Sequence, residues 1–80
     1  MKLENIIKLE KHYHHWITLR DAQYLRGMNN HELNDVLEVA REEFFGPGYS
    51  PDLWCGSCLA EFIKSTYTQY DKIKHATNPI

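Results

Sequence analysis

Apolar side chains recur three and four residues apart through most of the chain, and this spacing constrains the fold more than any other feature. The clearest run consists of Leu33, Val36, Leu37, Ala40 and Phe44. Residues at these intervals share one face of an α-helix. No segment shows the alternation of a half-buried strand, and no apolar stretch is rich in Val, Ile and Thr. The sequence therefore predicts an all-α fold, a compact bundle of three long helices and one short helix.

The first two predicted helices lie in the N-terminal part of the chain. A long helix is expected over about 2–16, because its apolar residues fall on one broad face. That face comprises Leu3, Ile6, Ile7, Leu9, Tyr13, Trp16 and Ile17. A short helix is expected over 19–26, with Thr18 as its N-cap and Gly27 ending it.

The third helix is expected over 30–45. Asn29 can cap it, and Glu32 stands three residues later, where its side chain can return the capping-box hydrogen bond. The sequence Gly46-Pro47-Gly48 is expected to end the helix.

The fourth and longest helix is expected over 51–75. Ser50 is its predicted N-cap, and Pro51 occupies the first helical position, where a missing backbone N–H costs nothing. Its apolar face is predicted to comprise Cys55, Cys58, Leu59, Phe62, Ile63, Thr66, Tyr70 and Ile73, with Tyr67 at the edge.

The size and charge of the chain exclude several classes of function. Its 80 residues are expected to form a single domain, 1–80. The formal net charge of −2 argues against a general nucleic-acid or anionic-membrane binder, which needs a surplus of Lys and Arg. No apolar run approaches the length that spans a bilayer. We therefore expect a cytoplasmic protein whose two cysteines are thiols, without nucleic-acid or membrane partners.

The sequence Trp54-Cys55-Gly56-Ser57-Cys58 locally resembles the active site of the thioredoxin family. In that family a Cys-x-x-Cys motif opens a helix, whose N-terminus favours the thiolate of the first cysteine. The resemblance implies Cys55 as the attacking thiol and Cys58 as the resolving thiol of an oxidoreductase. The family also places a strand directly before the motif, whereas this chain has a turn sequence there. The preferred interpretation is that both cysteines pack as small apolar residues on the core face of the last helix.

A zinc site is the second interpretation of the cysteines. Cys55 and Cys58 supply two thiolates, and His14 is the histidine expected on the apolar face of the first helix. On a regular helix His12 and His15 would point away from that face. The remaining candidate ligands are His31 and His75.

An aromatic interaction surface is predicted near the last helix. Tyr49, Trp54, Tyr67 and Tyr70 exceed what a chain of this size readily buries, and aromatic residues are enriched in protein interfaces.

No residue set predicts acid–base or nucleophilic catalysis. The leading hypothesis is a non-enzymatic interaction or structural module, with a protein partner or a second copy of the chain and no cofactor.

The segment from Tyr49 to Cys58, followed by Tyr67 and Tyr70-Asp71-Lys72, resembles small uncharacterised proteins of Bacteroides-type bacteria and their phages. The resemblance covers about the last half of the chain. It implies an accessory protein of a phage or mobile element, in a bacterial cell or a phage-infected host. It carries no activity, so it assigns no functional residue.

Overall fold

A computed structural model describes residues 1–23 and 28–76, with side chains described through Lys74. Its helices are α1 (Leu3–Lys11), α2 (Tyr13–Ala22), α3 (Asn30–Val39), a π-helical segment (Ala40–Phe45) and α4 (Gly56–Ala76). No strand occurs in these ranges, and the predicted all-α class is confirmed. Within the same ranges, no helix combines the length and the apolar character needed to cross a bilayer.

The helices pack in two pairs around one apolar core. α1 packs against α3, and α2 packs against α4. The π-helical segment continues α3 and also contacts α4, so it joins the two pairs. The core residues are Leu9, Trp16, Leu33, Val36, Leu37, Val39, Ala40, Phe62, Ile63, Tyr67 and Tyr70.

The first predicted helix is broken at His12, and the prediction of one helix over 2–16 is wrong. His12 has φ −103° and ψ 9°, outside the helical region, and α2 begins at the next residue. Its ring is buried against the carboxylates of Glu32 and Asp35, a long-range contact that sequence periodicity does not reveal. The break changes which residues face the core.

The packed face of α1 differs from the predicted apolar face. Leu3 is 71% exposed and Ile7 is 58% exposed, whereas Asn5 is 2% exposed. The Asn5 amide donates a hydrogen bond of 2.6 Å to Glu43 in the π-helical segment. A buried polar group with a charged partner therefore takes the place expected for apolar side chains.

The short helix predicted over 19–26 with Thr18 as its N-cap is also wrong. Thr18 lies inside α2, where its hydroxyl donates to the backbone carbonyl of His14, the usual bond of a threonine within a helix. α2 ends at Ala22, and Gln23 follows in the left-handed region with φ 60°. The predicted terminator Gly27 lies outside the described residues.

The start of α3 agrees with the prediction. Asn29 is its N-cap: its side chain accepts a 2.9 Å hydrogen bond from the Glu32 backbone, and Glu32 accepts one of 3.3 Å from the Asn29 backbone. The helical winding continues to Phe45, the predicted end, although its last six residues adopt the wider π form. Gly46 then turns the chain with φ 90°.

α4 begins five residues later than predicted. Ser50 and Pro51 precede a bent segment and do not start the helix. The carbonyl of Cys55 accepts the first helical hydrogen bond, 2.8 Å from the backbone nitrogen of Leu59, so Cys55 is the N-cap. Asp52 accepts a 2.9 Å bond from the Trp54 backbone, and this local turn replaces the first predicted turn of helix.

The carboxylate of Asp71 in α4 forms two hydrogen bonds with α2. Asp71 accepts hydrogen bonds from the Tyr13 hydroxyl at 2.7 Å and from the Trp16 indole at 3.0 Å. Burial, with the Asp71 hydrogen bond as the second cause, raises the pKa of Tyr13 to about 12. The phenol therefore acts as a hydrogen-bond donor throughout the physiological range of pH.

Candidate functional site

The loop over 46–55, which joins the π-helical segment to α4, carries the most exposed aromatic residue among those described. Two hydrogen bonds fix its course: the Tyr49 backbone donates to the Gly46 carbonyl at 3.2 Å, and the Arg41 side chain donates to the Tyr49 carbonyl at 2.6 Å. The Tyr49 ring is half-buried, 4.6 Å from the ring centre of Phe45 and 6.1 Å from that of Phe62. The loop is thus anchored at Tyr49.

Beyond this anchor, the side chain of Trp54 points into solvent. It is 98% exposed, although most tryptophans are largely buried. It stands at the edge of a groove of about 430 Å³ between α3 and the loop. The groove is lined by Asn30, Leu33, Asn34, Leu37, Arg41, Ser50, Pro51, Asp52, Leu53 and Trp54.

The predicted aromatic surface is therefore divided. Trp54 is exposed and Tyr49 is half-buried, but Tyr67 is 0% exposed and Tyr70 is 4% exposed. The Tyr67 hydroxyl donates to the carbonyl of Leu9 at 2.9 Å inside the core. The assignment of Tyr67 and Tyr70 to an interaction surface is wrong, because α4 turns both rings toward α1 and α2.

Cys55 has a second role besides capping α4. Its sulfur lies 3.2 Å from the Ser57 hydroxyl and accepts a 3.4 Å hydrogen bond from the Cys58 backbone. The Cys58 thiol, the Ser57 hydroxyl and this backbone N–H together lower the pKa of Cys55 to about 7. The donors at the helix start thus stabilise a thiolate.

Neither cysteine lies in the core. Both are partly exposed thiols, so the expectation that they pack as buried apolar residues is wrong. The delayed start of α4 explains the difference, because Cys55 lies before the helix and Cys58 in its first turn. The interaction with Cys55 raises the pKa of Cys58 above its ordinary value, so the two thiols differ in acidity.

The structure brings His14 together with partners other than the cysteines. Among the described side chains, one set of three or more His, Cys, Asp or Glu residues has all its ligand atoms within 4.8 Å of one another, and it consists of His14, His15 and Glu32. Cys55 and Cys58 are not part of this set. Of the other candidate ligands, His31 is exposed on α3, and the side chain of His75 lies outside the described residues.

A histidine–carboxylate cluster joins the start of α2 to the start of α3. The cluster consists of His12, His14, His15, Glu32 and Asp35. The Oε2 atom of Glu32 lies 2.8 Å from His15 Nε2 and 3.4 Å from His12 Nδ1, and Asp35 Oδ2 lies 3.2 Å from His12 Nε2. The hydrogen bond from His15, followed by that from the Asn29 backbone, holds the pKa of Glu32 below its usual range.

Sequence reasoning missed this cluster. His12 and His15 were expected to point away from the core, but they are 2% and 9% exposed. That prediction assumed a regular helix through residue 16. The break at His12 changes the directions of both side chains, so the prediction was wrong. The available signal was the capping box, because it fixes Glu32 in the first turn of α3 as a ready acceptor for a neighbouring helix.

Comparisons of the chain with protein-family models, curated proteins and solved structures gave no match. The chemistry of these sites is therefore the basis for a function.

Proposed function

We propose that the protein is a non-enzymatic interaction module that associates through Trp54 and the adjoining groove. The observation that carries the proposal is the 98% exposure of the Trp54 side chain. Tryptophan is strongly enriched among residues that dominate binding energy in interfaces. A large apolar ring in solvent favours association, since covering it removes apolar surface from water.

The occupant that best fits the groove is a second copy of this chain. Trp54 stands at the rim of the groove without filling it, and Leu33, Leu37 and Leu53 provide its apolar wall. A two-fold dimer needs one self-complementary patch, in which a projecting group of each copy enters a recess of the other. A projecting ring beside a recess of mixed polar and apolar lining supplies both parts, and the net charge of −2 opposes association only weakly.

Sedimentation equilibrium tests this proposal. The wild-type chain is expected to form a reversible dimer, and the fluorescence of Trp54 should shift to shorter wavelength as the concentration rises. Trp54→Ser should abolish dimer formation with little change in the unfolding free energy, because the ring makes few contacts within the monomer. Leu3→Ser, at an exposed position of α1, is the matched control and should dimerise normally. A strictly monomeric wild type, or equal association of Trp54→Ser, would contradict the proposal.

The cellular setting is part of the same proposal. A cytoplasmic accessory protein of a phage or mobile element would act through contacts rather than through catalysis. In that reducing compartment Cys55 and Cys58 would both be thiols, as they are in the structure.

A second candidate function, thiol–disulfide exchange, is favoured by the hydrogen bonds to the Cys55 sulfur. The Cys55 thiolate would attack a disulfide of a partner, forming a mixed disulfide and releasing one partner thiolate. The Cys58 thiolate would then attack the Cys55 sulfur, forming the Cys55–Cys58 disulfide and releasing the second partner thiol. The partner is reduced by two electrons and the two cysteines are oxidised.

Alkylation by iodoacetamide at varied pH tests this second function. The rate at Cys55 is expected to rise with an inflection near pH 7, and Cys55→Ser should remove the fast reaction. Cys58→Ser keeps the Cys55 sulfur but removes the thiol that contributes most to its lowered pKa, so the inflection should move to higher pH. An inflection at the ordinary thiol value of 9.0 would remove the physical basis of this candidate.

A further inference from the structure

We infer that the histidine–carboxylate cluster is a binding site for a divalent transition-metal ion, with zinc the best-fitting ion, held by His14, His15 and Glu32. The site is independent of the Trp54 surface and of the two cysteines. It would fasten α2 to α3, because two ligands come from the first turn of α2 and the third from the first turn of α3.

The separations of the ligand atoms suit this ion. A tetrahedral zinc ion with bonds of about 2.0–2.2 Å keeps its ligand atoms about 3.3 Å apart. His15 Nε2 and Glu32 Oε2, at 2.8 Å, already stand near that separation. The His14 ring lies with its centre 4.0 Å from that of His15, and its ligand atom is within 4.8 Å of the other two. Closing the site needs a movement of about 1.5 Å or less by an exposed side chain.

The donor set selects the class of metal. Two imidazole nitrogens and one carboxylate oxygen form a set that zinc uses in proteins when it keeps its fourth position open. Calcium and magnesium prefer oxygen ligands alone, so they are disfavoured. Because His14 is exposed, the fourth position would face solvent and hold water.

The second layer of contacts holds the carboxylate ligand in place. Glu32 Oε1 accepts from the Asn29 backbone in the capping box, which leaves Oε2 directed at the histidines. The buried ring of His12 lies between Glu32 and Asp35. Carboxylates that bind a metal are usually hydrogen-bonded by a second residue, as Glu32 is by the Asn29 backbone. Glu32 and Asp35 together also match the charge of a divalent ion.

Isothermal titration with zinc chloride, on untagged protein, tests the inference. One equivalent is expected to bind, and bound zinc should raise the thermal midpoint by several degrees because it binds only the folded chain. His14→Ala should weaken binding by at least about tenfold without changing the fold, since the side chain is exposed. His31→Ala, which removes an exposed histidine of α3, is the matched control and should bind normally.

Cobalt(II) separates this site from one built on the cysteines. The double variant Cys55→Ser, Cys58→Ser should still bind one equivalent, with visible d–d absorption and no sulfur charge-transfer band. Loss of binding in the double variant, equal binding by His14→Ala and wild type, or no stoichiometric zinc binding would each overturn the inference.

Discussion

Thr66 is the described residue whose burial is least compensated. It is 0% exposed in α4, and its hydroxyl has no hydrogen-bond partner. A buried hydroxyl without a partner costs free energy, because it has lost its bonds to water. The methyl group of the same side chain is also buried. Burial of the methyl group stabilises the fold, whereas burial of the unpaired hydroxyl destabilises it.

Thr66→Val is therefore expected to raise the free energy of unfolding by about 1 kcal/mol. The substitution keeps the shape of the side chain and replaces the hydroxyl with a methyl group. Urea unfolding followed by circular dichroism measures the change. Thr68→Val, at an exposed position of the same helix, is the control and should leave the free energy nearly unchanged. A lower stability of Thr66→Val would show that the hydroxyl has a partner in solution.

His12 shows how one residue redirects a helix. Each of its ring nitrogens faces a carboxylate oxygen, one of Glu32 and one of Asp35. The break between α1 and α2 places the ring between these carboxylates.

Between elements, Glu43 joins the π-helical segment to the start of α1. Its Oε2 atom accepts hydrogen bonds from the Asn5 amide at 2.6 Å and from the Lys2 backbone at 3.1 Å. The Asn5 bond is the largest of the influences that hold the pKa of Glu43 below its ordinary value of 4.5. An ionised Glu43 thus stabilises the folded state.

The sign of the resulting pH dependence follows from this lowered pKa. The contribution of Glu43 is fully present above its unfolded pKa and is lost as the pH falls through its folded pKa. Between pH 5 and pH 2, wild type should therefore lose about 1 kcal/mol more stability than Glu43→Gln, whose neutral amide does not titrate. Glu61→Gln, at an exposed position of α4, should follow the wild-type profile. Parallel profiles of wild type and Glu43→Gln would contradict the prediction.

The local signals of the sequence predicted the elements better than their boundaries. The capping box at Asn29 and the end before Gly46 are confirmed, because both depend on residues adjacent in the chain. The break at His12 and the late start at Gly56 were not predictable in this way. The first depends on carboxylates of α3, and the second on a turn at Asp52 that competes with a favourable cap at Ser50.

The same distinction applies to the candidate sites. Trp54 and Cys55 could be recognised in the sequence because both belong to one short Cys-x-x-Cys motif with an adjacent tryptophan. The cluster around Glu32 was missed, because its members come from two helices whose facing surfaces depend on the break at His12. Contacts distant in sequence determine that pairing, and periodicity along one helix contains no information about them.

At the scale of the whole molecule, the fold is thin. Its Cα atoms extend over 37 × 30 × 17 Å, and the shortest dimension accommodates about two layers of packed helices. Several apolar side chains are therefore left outside the core. The most exposed are Leu3 at 71%, Ile7 at 58% and Trp54 at 98%. A contact that covers one of these side chains removes apolar surface from water and therefore lowers the free energy.

The shortness of the chain also determines its heat capacity of unfolding. A chain of this length exposes little surface when it unfolds, and its heat capacity should rise by only about 1 kcal/mol/K. The curve of stability against temperature is then broad and low. For such a small domain, about 1 kcal/mol of added or lost interaction moves the melting temperature by about 4–8 °C. One hydroxyl, one carboxylate or one bound ion is therefore enough to change the temperature range in which the chain is folded.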